Sequence, residues 1–135
     1  MSITYQQELT LTAAEYVSVL SRTTMRDKRP LANTARIQGM LDGANFIVTA
    51  RESDTIIGVA RCITDFAWIA YCAELAVAET HQGLGVGQKL IEVARALLGP
   101  QIGLSLIAEP EAEGFYRRIG MQQYAAFFLD REDRS

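Results

Sequence analysis

The stretch from Glu74 to Leu90 constrains this chain most, because it joins an apolar run to a glycine-rich turn and then to an amphipathic helix. Leu75, Ala76 and Val77 close the apolar run, Thr80 to Gln82 turn the chain, and Gly83, Gly85 and Gly87 alternate with Leu84 and Val86. Val86, Leu90, Val93, Ala94 and Leu97 then recur at the spacing of one buried helical face. Glycine lets the backbone turn sharply and lets a ligand approach the amides, since no Cβ intervenes. The first N–H groups of a helix lack intrahelical partners and sit at the positive end of its dipole. A strand, turn and helix of this kind holds phosphate without needing a charged side chain.

Spacing chooses among the phosphate-binding devices. A dinucleotide fingerprint starting at Gly83 needs glycine at position 88, where the chain has Gln88. A P-loop needs glycine followed by lysine, and no glycine here is so followed. The pattern present is Gln82-x-x-Gly85-x-Gly87. Read from the residues alone, a glycine-rich connection that binds nothing remains the alternative. A second motif follows, Ala112-x-x-Phe115-Tyr116 with Gly120-Met121 behind it. In this order the two resemble the acetyl-CoA pyrophosphate loop and the A-x-x-F-Y-x-x-x-G-F helix of the GNAT N-acetyltransferase superfamily. The element order and length fit as well, so the resemblance covers essentially the whole chain, residues 1–135 as one domain.

The remaining residues set the frame. A chain of 135 residues with 49% hydrophobic and 21% charged residues suits one soluble domain with a single core. Its net charge of -3 disfavours nucleic acid as a partner, so an anionic cofactor has to be held locally. Cys62 and Cys72 lie in apolar runs and form no CxxC pair. With no signal-peptide pattern at the start, buried free thiols in a reducing cytoplasm are expected. No apolar run is long enough to span a membrane. The lone His81 excludes His-rich metal sites, no metal is expected, and a turn histidine reads as solvated surface.

In chain order, residues 2–9 read as a strand. Thr12 and Glu15 then form a capping box, with Leu11 and Tyr16 as its hydrophobic staple, and the helix runs to about Thr23. A basic loop (Arg26, Lys28, Arg29) leads to a helix capped by Asn33 and stopped by Gly43. Strands are expected over Asn45–Arg51, Thr55–Thr64, Trp68–Val77, Ile102–Ala108 and Gln122–Leu129. Helices are expected over Gly85–Leu98 and Glu111–Ile119, with Gly120 past the end of the latter. The result is a mixed α/β sheet in one domain. The resemblance makes that sheet mostly antiparallel and flanked by helices.

The resemblance also implies a V-shaped opening between the strands ending near Val77 and Ala108. The cofactor arm would pair there with the backbone of Leu75, Ala76 and Val77. The pyrophosphate would meet amides from Gln82, Gly83, Leu84, Gly85, Val86, Gly87 and Gln88. Lys89, Arg95, Arg117 and Arg118 are either added charge or plain solvated surface. The implied activity is acetyl transfer from acetyl-CoA to a primary amine, on a small molecule or a peptide, by direct attack in a ternary complex. At pH 7 an alkyl ammonium costs about 4.6 kcal/mol to deprotonate, so a base or water chain matters. A backbone N–H near Val77 would serve the developing oxyanion.

Tyr116 is the implied general acid for the departing thiolate; packing for shape is its alternative. Glu74 is the carboxylate nearest the reacting centre and the first candidate base, with Asp65 its competitor; pairing with Arg61 is an equal reading of Glu74. Glu109 stands where the family often has an asparagine that contacts the cofactor arm, so that contact is lost, bridged by water or replaced. Phe66 and Trp68 line an apolar acceptor pocket or belong to the core. The basic loop hints at an anionic acceptor. Room for only one strand after Met121 leaves a homodimer open. Two other functions fit the same residues: a non-catalytic acyl-CoA-binding sensor or subunit, and an acyltransferase acting on charged tRNA, which the net charge disfavours.

Overall fold

A computed structural model describes residues 2–135. Five strands form one sheet in sequence order: β1 (Ile3–Gln7), β2 (Phe46–Glu52), β3 (Thr55–Thr64), β4 (Ile69–Val77) and β5 (Gly103–Leu106). Pairing is antiparallel from β1 through β4, and β5 runs parallel to β4. Helices α1 (Ala13–Leu20) and α2 (Thr34–Gly43) cover one face, and α3 (Val86–Leu98) covers the other. A short helix α4 (Glu113–Arg118) follows β5. This is the mixed α/β sheet that the sequence predicts, mostly antiparallel and flanked by helices as the resemblance implies.

Local chemistry explains the helices. The Glu15 amide donates to Thr12 Oγ1 at 3.1 Å and the Thr12 amide donates to Glu15 Oε1 at 3.4 Å, completing the capping box of α1. That helix buries Tyr16, Val19 and Leu20 against Ile37, Ile47 and Val59. Asn33 caps α2 by accepting from the Arg36 amide at 3.1 Å. On the opposite face Val86, Leu90 and Ala94 pack on Val48, Ala60, Cys62 and Cys72. The two cysteines are buried and free. Gly58 lets α3 close on β3, since a Cβ there would stand 3.1 Å from Leu90 Cδ1 and 3.3 Å from Val86 Cγ1.

Two features of the sheet shape the site. Arg61 pairs with Glu74 but Cys62 pairs with Cys72, so Ala73 is an extra residue, a bulge in β4. The bulge switches which side chains face which helices. Cys72 packs on the α3 side, whereas Glu74 reaches Tyr16 of α1 and Ala76 joins the α1 cluster. In addition, β5 accompanies β4 only as far as the pair Cys72–Leu106, while β4 continues to Val77. The two strands part there.

Several expectations are corrected. Residues 122–129 form no strand, and Tyr124, Phe127 and Leu129 stand 77%, 96% and 99% exposed. Strand-favouring residues do not make a strand without a partner for their backbone groups. Gly43 stays inside α2, whose cap is Ala44. The first helix ends at Leu20, short of Thr23. The expected helix after Glu109 begins as a 3-10 turn, Pro110–Ala112, before α4. Phe66 and Trp68 are exposed rather than core, at 56% and 76%.

Candidate active site

The glycine loop follows β4 directly. A 3-10 turn over Glu79–His81 leads to Gln82, whose side-chain amide donates to the Val77 carbonyl at 3.4 Å and ties the loop to the end of the strand. Gly83 and Gly85 both have φ of +79°, a conformation that side chains disfavour. A Cβ on either would meet nothing within 4 Å, so the loop backbone faces open space. Gly85 offers no side-chain cap, and the Lys89 amide makes the first helical bond to the Gly85 carbonyl at 3.0 Å. The amides of Val86, Gly87 and Gln88 therefore lead a 13-residue helix with no intrahelical acceptor. This uncapped end suits a pyrophosphate. Lys89 is exposed beside it, whereas Leu84 is half exposed.

Gly87 is where the two motifs meet. A Cβ there would lie 3.2 Å from Phe115 Cζ, 3.7 Å from Val77 Cγ2 and 3.8 Å from Leu75 Cδ2. The missing side chain thus lets α4 and the end of β4 close on the start of α3. Tyr116 is next to Phe115, the rings meeting edge to face at 5.1 Å and 73°. Burial, and secondarily the neighbouring Cys72, push the Tyr116 phenol up to about 12. Tyr116 lines a cavity of about 950 Å³ between β5, α4 and residues 121–126.

Glu74 is a buried hub. Its Oε1 accepts from Arg61 Nε and from the Tyr16 hydroxyl, each at 2.5 Å. Its Oε2 accepts from Arg61 Nη2 at 2.9 Å and from Arg29 Nε at 3.1 Å. Burial pushes this carboxyl up, yet the bonds and charges of Arg61, Arg29 and Tyr16 outweigh it and hold the group below the usual carboxylate value. Burial beside Glu74 raises the Tyr16 phenol strongly in turn. The other candidate base, Asp65, shapes a turn: its Oδ1 accepts from the amides of Ala67, Trp68 and Ile69, which hold its carboxyl low. Glu109 sits 3.2 Å from Lys28, bridging to the α1–α2 loop. His81 is half-buried, 3.2 Å from Glu52, rather than simply solvated.

The sequence marks Arg29 only as part of a basic loop that hints at an anionic acceptor, and Tyr16 only as the buried staple of α1. Both reach Glu74 from 45 and 58 positions away, and no local pattern signals such a contact. Among the described residues no group of three or more His, Cys, Asp or Glu is placed to hold a metal ion, and no helix is long and apolar enough to cross a membrane.

Comparison with known proteins agrees with this geometry. The model of the acetyltransferase (GNAT) domain matches residues 42–123. The chain is 35% identical over 74 residues to GCN5-related N-acetyltransferase 2, chloroplastic, of Arabidopsis thaliana, covering 53% of this chain and 29% of that one. It is 37% identical over 73 residues to histone acetyltransferase TAP1 of Glycine max, covering 53% and 32%. It thus spans about a third of the length of these curated relatives. A solved structure from Deinococcus radiodurans R1, assigned to the acetyltransferases, superposes with a TM-score of 0.76 at 26% identity, over 96% of this chain and 88% of that one. The aminoglycoside N-acetyltransferase AAC(6')-Iy, solved with CoA, shares the fold at a TM-score of 0.73 and 13% identity, over 97% and 95%. The uncapped glycine loop, the parted strands and the matching domain model lead to one assignment: the chain belongs to the GNAT acetyltransferase domain family.

Proposed function

We propose that this chain is an acetyl-CoA-dependent N-acetyltransferase that acts on a primary amine by direct attack in a ternary complex. The observation that carries this reading is the parting of β4 from β5 beyond Cys72, with the glycine loop and the Tyr116 helix converging at Gly87 beside it. When bound, acetyl-CoA supplies a thioester whose carbonyl carbon takes the amine's lone pair while the C–S bond breaks. The amides of residues 82–88 hold the pyrophosphate, and the unpaired edge of β4 at Leu75, Ala76 and Val77 holds the arm as an added strand would. Tyr116 gives its proton to the departing sulfur, and solvent restores it. A phenol is protonated at neutral pH, and burial, which pushes Tyr116 up to about 12, keeps its proton in place well into alkaline solution.

The amine's proton leaves through water in this reading. Glu74 already accepts from two guanidiniums and a phenol, so it positions Arg29 and Arg61 rather than taking a proton. Glu109, tied to Lys28, leaves the cofactor arm to backbone groups. Isothermal titration with acetyl-CoA, followed by thiol release over a panel of amines, tests the proposal. Binding with turnover is expected; binding without turnover on any amine returns the chain to a non-catalytic acyl-CoA sensor. The buried thiols Cys62 and Cys72 support a reducing compartment such as the cytoplasm.

The exposed Tyr124, Phe127, Phe128 and Leu129, and a β5 that pairs with β4 alone among the described strands, support a homodimer built on this apolar segment. Sedimentation at two concentrations is expected to give twice the monomer mass, and Phe127→Glu is expected to return it to 14.9 kDa. A wild-type monomer at both concentrations removes the dimer.

A further inference from the structure

We infer that the amine acceptor carries an anionic group, a carboxylate or a phosphate, bound in a basic pocket beside β4; the inference rests on the acetyl-transfer reading. A cavity of about 370 Å³ opens between the α1–α2 loop, α2 and the tail segment 128–134. Its lining carries six cations, Lys28, Arg29, Arg36, Arg61, Arg131 and Arg134, against one carboxylate, Asp27. Some of this charge is met locally. Lys28 lies on Glu109 and Glu111, and Arg131 and Arg134 lie on Asp130.

Arg29 and Arg61 are different. They share the single carboxylate of Glu74, whose third partner, the Tyr16 hydroxyl, is neutral. One positive charge is therefore left over, and arginine cannot shed its proton to remove it. Arg61 is buried and only 21% of the Arg29 side chain is exposed, so a charge left over between them is costly, and the side from which a counter-ion can arrive is the open pocket. Donors remain to receive it. Arg29 uses three bonds, to Glu74, the Ala73 carbonyl and the Lys28 carbonyl. Arg61 also uses three, two to Glu74 and one to the Met40 carbonyl. A guanidinium has five N–H groups, so two on each are unspent. An oxyanion with two or three oxygens suits such paired forks. Arg36, on the same wall, already gathers main-chain oxygens of Asp133 and Ser135.

The pocket also lies in the right place. Arg29 Nη2 donates at 2.8 Å to the carbonyl of Ala73, the bulge residue just past the point where β5 leaves β4. Tyr71 lines both this pocket and the Tyr116 cavity. An acceptor anchored by its anion here presents its amine toward the parted strands. Polycationic amines are repelled by the same wall, although an aminoglycoside acetyltransferase shares the fold.

The test is acetyl-CoA-dependent thiol release with four short amines: γ-aminobutyrate, O-phosphoethanolamine, putrescine and butylamine. At least one anionic amine is expected to exceed putrescine and butylamine in kcat/KM by about tenfold or more, the contribution of charged hydrogen bonds. The better of the two names carboxylate or phosphate. Arg29→Gln is expected to raise KM for that amine by about tenfold with kcat within about threefold, and to raise KM for butylamine far less. Equal or better turnover of putrescine or butylamine overturns the inference. Turnover of none of the four counts against the acetyl-transfer reading, and the pocket is then read directly. The Nε–H resonances of Arg29 and Arg61 in ¹⁵N-labelled protein are expected to shift and saturate with γ-aminobutyrate or O-phosphoethanolamine, and not with putrescine. Resonances unmoved by either anion overturn the inference independently of activity.

Discussion

Glu74→Gln is expected to lower folding stability by about 3–5 kcal/mol, the cost of breaking a buried ion pair from one side. The glutamine keeps the shape but leaves Arg61, 7% exposed, and the Arg29 guanidinium without a carboxylate at salt-bridge distance among the described residues. It also converts the acceptor of the Tyr16 hydroxyl into a group that is half donor. Urea denaturation should show the loss as a lower midpoint with an unchanged slope. The pH dependence has a definite sign. The Glu74 carboxyl is held below its ordinary value of 4.5, so its contribution is fully present above that pH and is lost as pH falls through the folded value. Wild type should therefore lose stability in acid more steeply than Glu74→Gln. A midpoint change worth less than about 1 kcal/mol would mean that solvent reaches the cluster and that the charge left over on Arg29 and Arg61 is already screened.

Tyr116→Phe is expected to reduce kcat by about 10²–10⁴-fold, the usual range for a lost general acid, with KM for acetyl-CoA nearly unchanged. The phenylalanine preserves the edge-to-face contact with Phe115, so packing at Gly87 stays intact and the loss is chemical. With the phenol pushed up to about 12, wild-type Tyr116 holds its proton throughout the assay range. The rate should therefore rise with pH as the amine loses its proton and then level off, with no fall near pH 10 from tyrosine ionisation. Near-normal turnover in Tyr116→Phe would leave the ring as packing only.

Much of the molecule is legible along the chain because its causes are local. Thr12 and Glu15 write the start of α1, Asn33 writes that of α2, and the spacing of Val86, Leu90 and Ala94 writes most of the buried face of α3, although Leu97, expected on the same face, stands 52% exposed. The Gln82-x-x-Gly85-x-Gly87 pattern likewise carries its own geometry, since φ of +79° at Gly83 and Gly85 calls for glycine whatever surrounds it. The tail misleads a local reading for the converse reason. Tyr124, Phe127 and Phe128 favour a strand, but a strand requires a neighbour, and residue type does not state whether an edge is within reach.

What the sequence by itself determined is therefore most of the helices and strands, the glycine loop after β4 and the helix that carries Tyr116, each encoded within a few consecutive residues. The tertiary structure alone decided the role of Glu74. Its meaning depends on the one-residue bulge at Ala73, which turns the carboxylate toward α1, and on Tyr16, Arg29 and Arg61 arriving from three separate elements. A residue that looks like an available base becomes the shared counter-ion of two arginines, because burial and pairing are properties of the assembled chain rather than of any segment of it.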